Sequence, residues 1–126
     1  MTIVLDAGAL LAIEAGDRQK LARLKEQRLD GHVAVTHGGV IGQVWCGGAG
    51  RQALLARALE AVDVVAIDED LGRRVGTLLA TSGTTDVIDA AVVLLARAGD
   101  EIHTSDPGDI EHLARAAGAD VEIVPT

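Results

Sequence analysis

Apolar positions along the chain switch repeatedly between short continuous runs and spacings of three and four, a pattern that predicts strands alternating with helices. Thr2 to Leu5 is a β-branched and aliphatic run ending at Asp6, and Leu10, Leu11 and Ile13 then follow with helical spacing. Asp17 is placed to cap a second helix in which Leu21, Leu24 and the Arg28 stem share a face, closed by Asp30-Gly31. His32 to Thr36 reads as the second strand. Gly38 to Gly50 has helical spacing at Val40, Ile41, Val44 and Trp45, but its six glycines predict only a short helix with mobile flanks. Arg51 to Ala61 is amphipathic, Val62 to Ile67 reads as a buried strand, and Asp68 caps a helix running to Ala80. After a loop at Ser82 to Thr85, an apolar helix is expected from Asp86 to Ala98. Glu101 to Thr104 follows as a strand, a helix opens at Pro107 and closes at Gly118, and Val121 to Val124 is the last strand. Such an order implies an α/β fold with a parallel sheet covered on both faces and a crevice at the carboxyl ends of its strands.

Composition narrows this picture. A chain of 126 residues suits one domain, here taken as residues 1–126, with a core of small aliphatics, because Phe and Tyr are absent and Trp45 is the only aromatic. That tryptophan is expected to anchor the core. The single Cys46 has no internal disulfide partner, and the apolar run Ala90 to Ala96 is far shorter than the roughly 20 residues of a membrane span. Met1 to Ala15 carries Asp6 and no basic stretch, which argues against a signal peptide and for a cytoplasmic location. The net charge of −8 disfavours a phosphate-binding protein at first sight. It is unevenly placed, however: residues 1–57 hold seven basic and five acidic side chains, the remainder four basic and fourteen acidic. A phosphate polymer would meet the N-terminal half, where Arg18 and Arg51 are candidate contacts.

The candidate chemistry lies in the carboxylates. Asp6 and Asp106 follow the first and fourth strands, so a doubly wound sheet brings them to one edge; Asp86 and Asp89, three apart at a helix start, share a face that can lean over it. Clustered carboxylates repel unless a cation joins them, and an all-oxygen site suits Mg²⁺ or Mn²⁺. Each acid also has a plainer reading as a helix cap, most evidently in Asp106-Pro107-Gly108-Asp109.

Three segments, Val4-Leu5-Asp6-Ala7-Gly8-Ala9-Leu10-Leu11, Asp86-Val87-Ile88-Asp89-Ala90-Ala91 and Thr104-Ser105-Asp106, stand in an order and at separations that resemble a PIN domain, and more closely the VapC toxins of bacterial toxin–antitoxin pairs. The resemblance implies a PIN-like three-layer α/β/α sandwich with a central parallel sheet of about five strands. It further implies Mg²⁺- or Mn²⁺-dependent cleavage of RNA, a small VapB-type antitoxin as partner, and a homodimer. Carried over by position, Asp6, Asp86 and Asp106 match metal ligands, Asp89 is an additional candidate, and Thr104 matches a supporting hydroxyl. Gln43 stands where the family has a glutamate, and Glu14 is a candidate compensating acid.

Two other readings stay open. One is a catalytically weak or inactive PIN-like module that binds RNA or protein, with Gln43 marking the loss. The other is a phosphoacceptor receiver domain, which needs a lysine near the pocket, and no lysine follows Lys25. His32 and His103 are expected to begin or line strands, and His37 is a minor candidate for the crevice.

Overall fold

The computed structural model describes residues 1–126. Five strands, β1 (Ile3–Leu5), β2 (Val35–His37), β3 (Asp63–Val65), β4 (Glu101–Thr104) and β5 (Glu122–Pro125), form one all-parallel sheet in the order β3-β2-β1-β4-β5. The helices are α1 (Ala7–Glu14), α2 (Arg18–Leu29), α3 (Gly38–Val44), α4 (Ala53–Leu59), α5 (Glu69–Ser82), α6 (Val87–Leu95) and α7 (Pro107–Ala117). Helix α1 packs with α2, α3 and α4, while α5, α6 and α7 pack with one another, which makes a three-layer α/β/α sandwich. No single helix is long and apolar enough to cross a membrane.

Local chemistry accounts for the boundaries. Aspartate caps four helices, with Asp6, Asp17, Asp68 and Asp86 accepting from the backbone N–H of Ala9, Lys20, Leu71 and Asp89 at 2.9 to 3.0 Å. Gly83 and Gly118 close α5 and α7 in the left-handed region, where a Cβ is unfavourable. The central strand β1 is buried along its whole length and packs with Leu10, Ile13, Val92 and Ile102 in one aliphatic core.

Four expectations need correction. β3 is not buried: it lies at the sheet edge, and Val64 faces solvent. On α2 the inward polar positions are Lys20 and Gln27, seven apart on one face, whereas Arg28 is exposed. Trp45 is no core anchor; it is 41% exposed, and its ring covers Gly48, where an added Cβ would collide with it. The glycine-rich flank after α3 is fastened rather than loose. Buried Gln52, in a short 3-10 turn (Gly50–Gln52), accepts from the N–H groups of Cys46 and Gly48 and donates to Val44 O and Glu14 Oε2.

The sheet order also decides one rival. Receiver domains follow the order 2-1-3-4-5, whereas here β1 is flanked by β2 and β4, so the fold is a different doubly wound arrangement. Its switch point lies between β1 and β4, where successive crossovers leave to opposite faces.

Candidate functional site

Both strands at the switch point end in acids. β1 and β4 pair with Leu5 opposite His103, and the Asp6 N–H donates to His103 O at 3.2 Å, so Asp6 and the Thr104-Ser105-Asp106 turn lie side by side. The two turns touch at Gly8: a Cβ there would run into the Ser105 side chain, so glycine is what lets the start of α1 approach the start of α7. Asp86 stands at the N-terminus of α6, with Asp89 one turn in.

Capping and site roles divide differently among these acids than their positions suggest. Asp6, only 4% exposed, commits Oδ1 to the α1 cap, and Asp86 commits Oδ1 to the α6 cap; each keeps its other oxygen. Asp106 occupies the N-cap position of α7, yet its side chain makes no capping bond. The turn is held instead by buried Thr104, whose Oγ1 accepts from the Asp106 N–H at 2.9 Å, leaving the carboxylate unspent. The Asp106 side chain is therefore no cap, and Thr104 holds the turn behind it.

Electrostatics tie the acids together. Burial, and then the negative charges of Asp86, Asp6, Asp106 and Asp109, push the Asp89 carboxyl up from 3.8 to about 6. A hollow of about 300 Å³ beside it is lined by Thr84, Thr85, Asp86, Asp89, Asp109 and His112, while Asp6 and Asp106, like Gln43, lie outside that lining. A larger hollow of about 540 Å³, between α7 and β5, lies away from these acids and includes Arg115 with Glu111 and Glu122, so it offers no comparable field. Asp109 thus belongs to the crevice, and sequence reasoning treated it only as part of the α7 cap.

The donor set suits a hard cation in kind: carboxylate oxygens alone, several of them unspent, whose repulsion adds to burial in raising Asp89. The side chains stand apart, and no group of three or more His, Cys, Asp or Glu is in position to hold a metal ion.

Several residues lie elsewhere. Gln43 is exposed on α3, outside the lining of the acidic hollow. Glu14 is engaged by Gln52, so it fastens the loop after α3 to α1 instead of serving the crevice. Arg18 and Arg51 are exposed. His37 is fully buried and bridges two helices: Nδ1 accepts from Gly39 N–H at 3.1 Å, and Nε2 donates to Ile88 O at 2.9 Å. Burial lowers its pKa, consistent with a neutral ring held as a structural link.

Behind Asp6 lies a polar chain the sequence did not suggest. Lys20 Nζ donates to His103 Nδ1 at 2.7 Å, His103 Nε2 donates to Glu101 Oε1 at 2.9 Å, and Glu101 Oε2 accepts from Arg23 at 2.9 Å. Burial lowers the His103 pKa, and burial lowers that of Lys20 against the opposing pull of Asp17, Asp6 and Glu101. Burial alone would raise Glu101; its bonds to His103 and Arg23 outweigh that and hold it low. The available signals were the helical register linking Lys20 to Gln27 and a histidine inside the short strand β4, between Ile102 and Thr104.

The fold and the crevice define the class as an α/β/α protein with an acidic switch point. No protein-family model matches the chain, and no curated protein matches it.

Proposed function

We propose that this protein is a metal-dependent endoribonuclease of the PIN-domain, VapC-like kind, with Asp6, Asp86 and Asp106 as its central acids and Asp89 and Asp109 around them. The observation that carries the reading is the placement of Asp6 and Asp106 on adjacent strand ends, where with Asp86 and Asp109 they add to the burial that raises Asp89 to about 6. Each of these aspartates has a local reason to stand at a helix N-terminus, but gathered at one switch point they also make a field that favours a cation or a proton. Mg²⁺ or Mn²⁺ bound to Asp6, Asp86 and Asp106 would supply a water of lowered pKa and positive charge against a phosphodiester. Thr104 keeps the Asp106 backbone in place, and Asp89 exchanges a proton with solvent near pH 6. Arg18 and Arg51 are proposed RNA backbone contacts, and a VapB-type antitoxin and a second copy are the proposed protein partners.

A second reading, a weakly active or inactive binding module, draws on the uncharged Gln43 on α3 and on the spread of the carboxylates. Structured RNA incubated with the purified protein and Mn²⁺ separates the two. The nuclease reading expects cleavage that disappears in Asp6→Asn and in EDTA. RNA binding without cleavage at any metal concentration would support the module instead.

A further inference from the structure

Lysine is an expensive choice for the inner face of α2. The other buried position on that face is an amide, Gln27, and an unbranched apolar side chain would fill the space of Lys20 without burying a charge. Lys20 is nevertheless only 8% exposed, and every polar group it meets is accounted for. Its ammonium, His103, Glu101 and Arg23 form one chain of hydrogen bonds. Glu101 is bonded directly to Arg23, which also pairs with Glu26 at 4.0 Å, and to a neutral His103, so the Lys20 ammonium has no carboxylate bonded to it and is the charge left unmatched in the chain. That charge sits at the Lys20 end, where Asp17 and Asp6 are the other carboxylates acting on it. Asp17, which also caps α2, pulls on the lysine more strongly than Asp6 does, but Asp17 is exposed and screened by solvent whereas Asp6 is buried. One residue joins both sides: the His103 ring takes the lysine, and the His103 carbonyl takes the Asp6 N–H.

We propose that Lys20 is a positioning residue of the acidic crevice, a cation built into its rear wall that offsets the charge of Asp6 and tunes how strongly the crevice holds a divalent ion. The metal-tuning half rests on the nuclease reading; the Lys20–Asp6 coupling does not. In the absence of metal the lysine offsets part of the repulsion among the acids. With metal it opposes the incoming charge, so that the ion is held less tightly and the crevice remains exchangeable.

The test is a double-mutant cycle in metal-free buffer, comparing urea unfolding of the parent, Lys20→Met, Asp6→Asn and the double variant. Methionine keeps the unbranched stem and removes the charge. If the lysine acts on Asp6, Lys20→Met lowers the folding equilibrium constant by about tenfold in the parent and by about twofold in the Asp6→Asn background. Equal losses in both backgrounds would overturn the proposal and leave a packing role. Should Lys20→Met not fold, Lys20→Gln replaces it in the same cycle, since it keeps a donor for His103 Nδ1. Calorimetry with Mn²⁺ is the second arm: Lys20→Gln is expected to bind about fivefold to tenfold more tightly than the parent, and unchanged or weaker affinity refutes the tuning role. A parent that binds no Mn²⁺ at all refutes the metal reading of the crevice, while the unfolding cycle still decides the coupling.

Discussion

Asp89→Asn separates a carboxylate that is merely present from one held under strain by its neighbours. In the folded chain Asp89 titrates near 6, against 3.8 for an ordinary aspartate, because burial and the charges of Asp86, Asp6, Asp106 and Asp109 disfavour its ionised form. Between those values the native state keeps a proton that the unfolded chain has released. Stability contributed by this group is therefore full below about 3.8, falls as pH rises through the window, and is lost above about 6. The gap sets an upper bound of about 3 kcal/mol. Asp89 is only half-buried, and solvent and salt reduce the real figure to about 1 kcal/mol, or about 4 °C in melting temperature for a domain of this size. Asparagine imitates the protonated form and leaves the Asp86 cap intact, because that cap uses the backbone N–H of residue 89. Urea unfolding in EDTA should give matching stabilities for parent and variant near pH 4, with the variant more stable by about 1 kcal/mol at pH 7.5. An offset independent of pH, or a less stable variant at pH 7.5, would refute the electrostatic account.

Three shorter predictions follow from the same geometry. Asp106→Asn should change stability by less than about 1 kcal/mol, since the side chain caps nothing, yet should abolish Mn²⁺-dependent RNA cleavage; retained cleavage would remove Asp106 from the site. Gln43→Glu should tighten Mg²⁺ binding by about tenfold if that face of α3 serves the crevice, and calorimetry showing no change would place it outside. Gly8→Ala should cost about 1 to 3 kcal/mol through collision with Ser105, and Gly8→Ala/Ser105→Gly should recover most of that loss in urea unfolding.

What the sequence revealed and what it hid follow one physical division. β4, α7 and the caps at Asp6, Asp17, Asp68 and Asp86 were legible because each depends on residues within a turn or two of one another. The meeting of Asp6 with Asp106 was legible through a rule of topology, as the outcome of adjacent strands ending at one edge. The Lys20–His103 bond was not, because it joins positions 83 residues apart and defies the binary pattern that sends lysine to solvent. Gln52 was hidden for a related reason, since an amide reads as surface until the N–H groups of Cys46 and Gly48 are seen to need an acceptor. The edge position of β3 was equally out of reach, because an aliphatic run looks the same whether or not a neighbouring strand covers it.

The division between cap and ligand itself dissolves at the crevice. Helices α1, α6 and α7 all begin there, and each N-terminus presents unpaired N–H groups and the positive end of a dipole, so aspartate is favoured at all three on local grounds. Those local preferences bring together negative charges that then disfavour one another and add to burial in raising Asp89 to about 6. Asp6 and Asp86 meet both demands with one oxygen each, whereas Asp106 is released from capping because Thr104 holds its backbone. A site built this way is folded before any cation arrives, since its caps secure the helices independently. On the proposed metal reading a cation would act on unspent oxygens, so its binding should stabilise the crevice chiefly by relieving repulsion and little by forming new structure.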